Sequence, residues 1–598
     1  MSKRTRRKNF IRIIISNILI VLVSCLQCYL LNLSCGVGEV PIERSVFLLN
    51  ACFLVVFNQL LFLVCRNILI SGFVSQLIVT VIAVANYYVI EYHGTPLTVA
   101  ELGNIRTAED VVGAYKFHLN RFPVLCGLLL AVFLVLMILE LSGRRRMLRV
   151  RRGILHLGIS LIMIGGAVGY IYTGLFGSQA IEMEMGWSWE EVYRQYGYVL
   201  SVVKDLESRK NVIQEPEVYS DEMVEEIEDW YVTDSASGNT PDVILILNET
   251  FYDLSLIEDL ETDVDYLSHI HQMEDLQTGY AITPLSGGGT NDSEYELLTG
   301  NSLYLLASGT TPFNVLDLFG ANSIVSVLNN RGYTTLGTHS EDSMNYNRGT
   351  AYRDLGFDII HFNEDYTDPD YIGNRPYKTD QSIYDQMIQW YEEMGDGPRL
   401  VYQLTIQNHG GFELNDPEDD TVHLLNSRYS EADTERINEY LTSIAASDEA
   451  FANLIDYFRT VDREVIVIMV GDHSPDFASW IASGDLDEQE KNLRLRETPF
   501  LVWTNGDYFD DVGSDLGEVA MPFVVAKALE RCGMNLSGYY EMESDLCTPI
   551  ATSLATGEYL VDDTWYTYGE DGIYDEILSY YYMMEYHNLL GTDDEFYQ

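Results

Sequence analysis

Basic residues are scarce in the second part of this 598-residue sequence. Residues 181–598 hold 19 Lys and Arg against 83 Asp and Glu, whereas residues 1–180 hold 17 basic and 7 acidic residues. The formal net charge of the chain is −54. This shortage excludes nucleic acid as a partner, because binding a phosphate backbone requires a basic surface.

Cysteine is also scarce, with 8 residues in the chain. Only Cys532 and Cys547 lie in the acidic part, and no CxxC pair occurs there. That spacing argues against a structural zinc site, whereas two cysteines in an oxidising compartment would be free to pair. The other six thiols lie in or beside apolar runs, where they pack as small apolar side chains.

Long apolar runs are confined to the first part of the chain. Each is close to the length of about 20 residues that crosses a bilayer. Five such runs within 172 residues favour membrane spans over buried helices of a soluble protein. They are residues 13–31, 46–65, 68–90, 122–139 and 154–172.

Basic residues beside these runs predict the orientation of the chain in the membrane. They cluster before the first run and between the fourth and fifth, with Arg66 between the second and third. Short cytoplasmic loops are enriched in Lys and Arg, so the N-terminus is predicted to be cytoplasmic and everything after the fifth span extracellular. The outer loop at 91–121 has the pattern of an amphipathic helix on the membrane surface, or of an ordinary solvated helix.

Composition changes divide the chain further. Residues 1–175 are predicted to form a five-span transmembrane domain, and residues 176–240 a helical, acidic linker. Residues 241–555 are predicted to form an extracellular catalytic domain, followed by an acidic, tyrosine-rich segment at 556–598.

The extracellular domain alternates short apolar runs with longer amphipathic stretches such as 381–393 and 431–459. This alternation predicts an α/β fold with a mostly parallel sheet that is covered by helices on both faces. In such sheets, ligands bind beyond the carboxyl ends of the strands. The predicted strands are 243–247, 334–338, 400–406, 464–470 and 500–503.

Acidic and histidine side chains follow four of these strands. Glu249 follows the first, His339 the second, His409 the third, and Asp472 with His473 the fourth. One such residue is usually a cap or a loop contact, but four at one sheet edge indicate a site.

A second segment, SGGGTNDSEYELLTG at 286–300, places Thr290 directly after three glycines and at the start of a predicted helix. No Gly-Lys-Thr/Ser follows, so it is not a Walker loop. Beside a metal held by carboxylate and imidazole, this hydroxyl would be an activated nucleophile for phosphoryl transfer. The types of ligand atom alone do not decide whether the metal is manganese, magnesium or zinc.

The whole pattern resembles the lipoteichoic acid synthase family. It comprises five spans, an outer loop, a linker, and the motifs Asn-Glu-Thr-Phe, Gly-Gly-Thr-Asn-Asp-Ser-Glu and Gly-Asp-His. Members are membrane phosphoglycerol transferases of the alkaline phosphatase and sulfatase superfamily. The resemblance implies a sulfatase-like, doubly wound sheet. It also implies transfer of glycerol phosphate from phosphatidylglycerol to a glycolipid or a growing polyglycerolphosphate chain, with lipoteichoic acid as the product.

The resemblance also implies residue roles. Thr290 matches the nucleophile, which carries glycerol phosphate as a covalent intermediate and is itself a metal ligand. The resemblance favours manganese as the metal. Tyr346 stands where the family usually has tryptophan. The other metal ligands are matched by Glu249, Asp472 and His473, and the phosphoglycerol pocket by His339, Glu341, Tyr346, Arg348 and His409.

Related activities are alternatives. A phosphoethanolamine transferase is disfavoured by the cysteine-poor outer domain, and a sulfatase by the lack of a Cys/Ser-x-Pro-x-Arg motif near Thr290. A phosphatase remains a further alternative. A non-enzymatic sensor is disfavoured by the intact metal and nucleophile motifs, and a transporter by the near absence of ionisable residues in the spans.

Overall fold

The computed structural model describes two units, which are residues 1–210 with 344–349 and residues 211–343 with 350–598. The described residues are 3–35, 43–93, 121–142, 148–150, 154–176, 193, 195–208, 212–216, 218–231, 240–307, 310–412, 414–425, 428–482, 484, 486–508, 514–534, 538–546, 550, 552–553, 555–561, 564–570 and 572–590.

The first unit is helical. Its first five helices each contain a stretch long and apolar enough to cross a membrane, and these stretches coincide with the five predicted spans. The helix predicted in the loop at 91–121 lies almost wholly outside the described residues. The helices are α1 (Lys3–Ser34), α2 (Arg44–Cys65), α3 (Ile68–His93), α4 (Arg121–Ser142), α5 (Ile154–Phe176) and α6 (Tyr198–Ser208).

Amide and hydroxyl side chains join the first three spans. The Asn58 amide donates to Gln27 Oε1 at 2.7 Å, and the Gln27 amide donates to Ser75 Oγ at 3.0 Å. The Gln59 amide donates to Asn17 Oδ1 at 2.5 Å. Such interhelical bonds satisfy polar groups that would otherwise face hydrocarbon, so they add specificity to the packing of α1, α2 and α3.

Two buried asparagines hold the start of α6. The Asn50 amide donates to the Tyr196 carbonyl at 2.8 Å, and Asn50 Oδ1 accepts from the Leu200 N–H at 2.9 Å. Asn32 Oδ1 accepts from the Tyr198 N–H at 2.8 Å. These bonds satisfy backbone groups that a helix end leaves open, and they anchor α6 to α1 and α2.

The second unit is built on an eight-stranded sheet of order β4-β3-β5-β1-β6-β7-β2-β8. Neighbouring strands are parallel except for β7, which is antiparallel to both β6 and β2. The strands are β1 (Asp242–Asn248), β2 (Gln277–Ile282), β3 (Thr334–His339), β4 (Ile359–His361), β5 (Arg399–Leu404), β6 (Val465–Gly471), β7 (Glu497–Thr504) and β8 (Asp515–Ala520).

Helices cover both faces of this sheet, as the continuous apolar strands predict. Val243, Leu245 and Leu247 of β1 belong to one core cluster, whereas Ile244 and Ile246 belong to a second cluster on the other face. The doubly wound α/β prediction is therefore confirmed. The helices are α7 (Asp221–Trp230), α8 (Ser268–Gln272), α9 (Thr290–Thr299), α10 (Pro312–Val315), α11 (Ile324–Asn330), α12 (Arg348–Asp354), α13 (Asp380–Glu393), α14 (Glu431–Phe458), α15 (Ala478–Ile481), α16 (Glu488–Arg494), α17 (Val524–Arg531), α18 (Gly538–Leu546) and α19 (Asp575–Leu589).

Three strands of the sheet, β2, β4 and β8, were not among the predicted ones. β4 and β8 are the two edge strands, and β2 lies between β7 and β8. β4 has three residues, and β2 and β8 carry glycine and polar residues with several positions that are not buried. These strands therefore lack the continuous apolar run that marks β1 and β6.

The segment at the C-terminus adds β9 (Thr552–Ser553), β10 (Glu558–Val561) and β11 (Thr564–Thr567), which form a separate antiparallel sheet, together with α19. The Tyr581 hydroxyl of α19 donates to the Gly300 carbonyl at 2.6 Å, directly after the end of α9. Of the two cysteines in this unit, Cys532 is a free, buried thiol, and Cys547 lies outside the described residues.

Three buried carboxyl groups lie where α18 and α19 approach α9. Burial, opposed by the Leu303 N–H, raises the pKa of Glu296 to about 8. Burial and the Glu585 carboxyl raise the pKa of Glu543 well above its usual value, and burial and Glu296 do the same for Glu585. A raised carboxyl pKa means that the folded protein binds protons that the unfolded chain releases, so stability is present at low pH and lost as pH rises through the folded pKa.

The Glu543→Gln variant is therefore expected to unfold at a higher temperature than the wild type near pH 8, and the advantage is expected to shrink towards pH 5. Glutamine is neutral and similar in shape, and neither Glu543 oxygen has a hydrogen-bond partner among the described residues. Thermal unfolding of the full chain measures the effect. Glu530→Gln, at an exposed position, is the control. A wild-type advantage at the higher pH would contradict the assignment.

Candidate active site

The site begins where β1 and β6 end side by side. Asn248 pairs with Gly471 in the parallel register, so the residues that follow each strand become neighbours. The Thr250 N–H donates to Asp472 Oδ1 at 2.6 Å, and Thr250 adopts a φ of 50°. A β-branched residue in this region is strained, and the turn that it forms aims Glu249 towards Asp472.

The nucleophile candidate sits at the first position of α9. The three glycines before it have φ values of 74°, 150° and 100°, a region that side chains disfavour. Thr290 Oγ1 lies 3.2 Å from Glu249 Oε2 and 3.3 Å from His473 Nε2. Ser293 Oγ donates to the Asp472 carbonyl at 2.5 Å, which ties the helix to the end of β6.

His473 presents one ring nitrogen to the other groups. Its Nδ1 lies 2.9 Å from the Ser474 carbonyl, and because a carbonyl oxygen only accepts, Nδ1 carries the hydrogen. Nε2 lies 3.2 Å from Asp472 Oδ2 and 3.6 Å from Glu249 Oε1. A backbone carbonyl on the far nitrogen is the usual orienting contact of a metal-ligating histidine.

Burial and crowding of charged groups shift the pKa values in this cluster, as they do in metal sites. Burial and the neighbouring Glu249 carboxylate raise the pKa of Asp472 to about 7. Burial lowers the pKa of His473, but the Asp472 and Glu249 carboxylates outweigh burial and raise it overall. Burial raises the pKa of Asp292, in the first turn of α9, to about 7. Two buried carboxylates side by side are costly unless a cation balances their charge.

These residues fit a divalent cation. One ligand atom each from Glu249, Asp472 and His473 lies within 4.8 Å of the others, and all three side chains are buried. Two carboxylates, one imidazole and the Thr290 oxygen make a four-ligand set that suits manganese, magnesium or zinc.

The residues predicted for the substrate pocket belong to two different units of the structure. His339, Glu341 and His409 belong to the second unit, whereas Tyr346 and Arg348 cluster with the first. His339 is buried, and its Nδ1 lies 3.2 Å from the Leu404 carbonyl. Glu341 lies 3.9 Å from Lys378, whereas His409 is exposed in the loop that follows β5.

Tyr346 and Arg348 belong to the short stretch 344–349 that clusters with the first unit. The Arg348 guanidinium lies 4.9 Å from the Tyr346 ring centroid.

Three residues beside the pocket were missed by the sequence reasoning, namely Arg375, Tyr377 and Lys378. The Tyr377 hydroxyl lies 2.9 Å from His409 Nδ1, and Lys378 donates to the Ser340 carbonyl at 2.6 Å. No motif marks this segment.

The sequence profile of the sulfatase family matches residues 241–512, which include β1 to β7 and every residue of the metal cluster. We call residues 241–512 the sulfatase domain, after the family whose profile they match. The candidate metal cluster lies within the residues that match this family.

Curated relatives of the sulfatase domain are distant. The chain is 25% identical over 360 residues to a putative cyclic beta-1,2-glucan modification protein of Rhizobium meliloti, covering 58% of this chain and 54% of that protein. It is 26% identical over 255 residues to an uncharacterized protein of Haemophilus influenzae, covering 40% of this chain and 45% of that protein. The chain thus spans about half the length of the curated relatives that it matches.

Among solved structures, the chain is similar to the Streptococcus pyogenes phosphoglycerol transferase GacH in complex with sn-glycerol-1-phosphate. The TM-score is 0.52 at 18% identity, with 64% of this chain and 96% of that chain covered. The lipoteichoic acid synthase LtaP from Listeria monocytogenes matches with a TM-score of 0.39 at 18% identity over 52% of this chain and 78% of that chain. The GacH match confirms the fold.

Proposed function

We propose that this protein is a membrane phosphoglycerol transferase that uses phosphatidylglycerol as donor and Thr290 as nucleophile. The observation that carries the proposal is the contact of Thr290 Oγ1 with both Glu249 and His473, at the first position of a helix. The N-terminus of a helix favours an anion, because its first backbone N–H groups have no partner within the helix and its dipole is positive there. At this site the anions would be the attacking Thr290 oxygen and the phosphate that it approaches.

The proposed reaction has two displacements. Thr290 Oγ loses its proton and forms a bond to the lipid phosphorus, while the bond from phosphorus to the diacylglycerol oxygen breaks and that oxygen takes up the proton and leaves as a hydroxyl. A hydroxyl of the glycolipid or polymer acceptor then attacks the same phosphorus, the bond to Thr290 breaks, and the proton of the acceptor restores the Thr290 hydroxyl. The divalent cation, when bound, lowers the pKa of the Thr290 hydroxyl and neutralises charge on phosphate.

Glu249, Asp472, His473 and Thr290 would hold the cation, and we propose manganese. His339, Glu341 and His409 would bind the glycerol phosphate group, and the roles of Tyr346 and Arg348 stay predictions from the family resemblance. A planar guanidinium suits phosphate oxygens, and a carboxylate suits glycerol hydroxyls. The GacH structure, whose fold the sulfatase domain shares, was determined with sn-glycerol-1-phosphate, which supports this choice of donor group.

The proposed location is the cell membrane, with a cytoplasmic N-terminus and an extracellular sulfatase domain. The five membrane-capable helices support a multi-pass protein, and the basic residues at the start of α1 and between α4 and α5 support the orientation. This orientation restricts the donor to lipid of the outer leaflet.

The test is diacylglycerol release by the full chain in right-side-out membrane vesicles. With manganese, labelled phosphatidylglycerol is expected to yield diacylglycerol, whereas labelled phosphatidylethanolamine is not. A membrane-impermeant chelator added outside should stop the release, because the site faces outwards. Release from phosphatidylethanolamine alone would make the protein a phosphoethanolamine transferase, and release that the external chelator leaves unchanged would contradict the orientation.

A further inference from the structure

The segment that contains Arg375, Tyr377 and Lys378 packs against the loop that follows β5. Arg375 Nη1 donates to Glu439 Oε1 at 2.8 Å, and both side chains are almost fully buried. Its other terminal nitrogen, Nη2, donates to the Gln407 carbonyl at 3.2 Å and to the His409 carbonyl. Arg375 therefore fixes the main chain on both sides of Asn408.

The same segment also contacts the imidazole of His409. The Tyr377 hydroxyl lies 2.9 Å from His409 Nδ1, and the two rings are tilted by 53° with centroids 5.0 Å apart. Its other polar contact, with the Gly410 carbonyl, is 3.5 Å long and at the outer limit of a hydrogen bond. The phenol has one hydrogen, and we assign it to the shorter contact, so that Nδ1 of His409 accepts it.

The Tyr377 hydroxyl stays protonated, because its pKa is shifted upwards. Burial raises the pKa of Tyr377, Arg375 lowers it, and the Glu249 and Glu341 carboxylates raise it, with a net shift upwards. A neutral phenol is both a donor and an acceptor, so it can satisfy Nδ1 of the neighbouring imidazole.

We infer that Tyr377 is a positioning residue of the proposed phosphoglycerol transferase, since its hydroxyl occupies His409 Nδ1 and leaves Nε2–H as the group that meets a phosphate or glycerol oxygen of the donor. His409 is exposed, and an exposed imidazole without this contact would rotate and exchange its tautomer. The role of His409 rests on the proposed function, whereas the contact itself does not.

A double-mutant cycle on the full chain tests this role. Tyr377→Phe keeps the ring that packs on His409 and removes only the hydroxyl, so kcat/KM for phosphatidylglycerol is expected to fall about tenfold. In the His409→Gln background, Tyr377→Phe is expected to change kcat/KM by less than about twofold, because a positioning residue has nothing left to position. Tyr457→Phe, which removes a phenol contact to Glu392 on the surface, is the matched control.

A second measurement is independent of the donor lipid. Solid-state NMR of the full chain in liposomes, with 15N-labelled histidine, reports the tautomer of each of the 11 imidazoles, and loss of signals in His409→Gln assigns His409. The wild type and Tyr457→Phe should show His409 protonated on Nε2, and Tyr377→Phe should show a mixture of tautomers.

Additive effects in the cycle, or the same His409 tautomer with and without the Tyr377 hydroxyl, would overturn the inference. Wild-type protein that releases no diacylglycerol from phosphatidylglycerol would instead overturn the proposed function, and the NMR comparison would still decide the role of Tyr377.

Discussion

Replacing Thr290 by alanine is expected to lower diacylglycerol release from phosphatidylglycerol at least about 10⁴-fold, because the variant has no oxygen that can attack phosphorus. The fold should survive, since the substitution removes one hydroxyl and one methyl at the start of α9 and leaves Gly287–Gly289 and the Ser293 contact to Asp472 unchanged. Initial rates in vesicles, with unfolding temperatures measured on the same samples, provide both readouts.

Two variants control this result. Thr290→Ser keeps the hydroxyl and should retain measurable release, whereas Thr460→Ala removes an exposed threonine hydroxyl that donates to the Tyr457 carbonyl, and should leave release unchanged. Diacylglycerol release by Thr290→Ala near the wild-type rate would mean that water or another residue attacks the phosphorus, and the covalent route would be wrong.

Removal of divalent cations is expected to stop release completely, and manganese is expected to restore it better than magnesium or zinc. The physical reason is the pair of buried carboxylates, Glu249 and Asp472, which repel each other unless a cation lies between them. A ligand that binds only the folded state adds about 2.7 kcal/mol at a hundred times its Kd, so manganese should also raise the unfolding temperature. Full activity after exhaustive chelation would rule out this site.

The Asp472→Asn variant distinguishes an effect on metal binding from an effect on folding. The introduced amide side chain can still accept the Thr250 N–H through its oxygen, but it brings one negative charge less, so manganese affinity should fall by at least about tenfold to a hundredfold. Without metal, the variant should unfold at a temperature no lower than the wild type, because the repulsion with Glu249 is gone. Asp456→Asn, at an exposed position, is the control. A manganese-dependent stabilisation equal to that of the wild type would contradict the assignment.

The elements that carry the cluster could be predicted from the sequence because their signals are local and strong. β1 and β6 are continuous apolar runs, each followed directly by an acid, and parallel strands bring their carboxyl ends to one edge. Thr290 follows three glycines, a pattern that predicts a tight turn into a helix. The antiparallel direction of β7 leaves no such signal, since it depends on the connection from α16 rather than on the residues of the strand.

Contacts between distant, unmarked residues could not be predicted in this way. Tyr377 meets His409 across 32 positions of sequence, and neither residue type at such a distance has a preferred spacing. The carboxyl groups of Glu296, Glu543 and Glu585 come together only because α18 and α19 fold onto α9. Acidic residues in a chain of this charge are predicted to be solvated, and only tertiary packing reveals that these three are buried.

The most direct test of the covalent mechanism is mass spectrometry of the peptide that contains Thr290. The full chain, loaded with manganese, is mixed briefly with phosphatidylglycerol without acceptor, quenched in acid and digested. The covalent mechanism predicts a mass increase of one glycerophosphoryl group on Thr290. This increase should be absent after chelation and absent from Thr290→Ala. Turnover of phosphatidylglycerol with no adduct at any quench time, or with the adduct on a different residue, would contradict it.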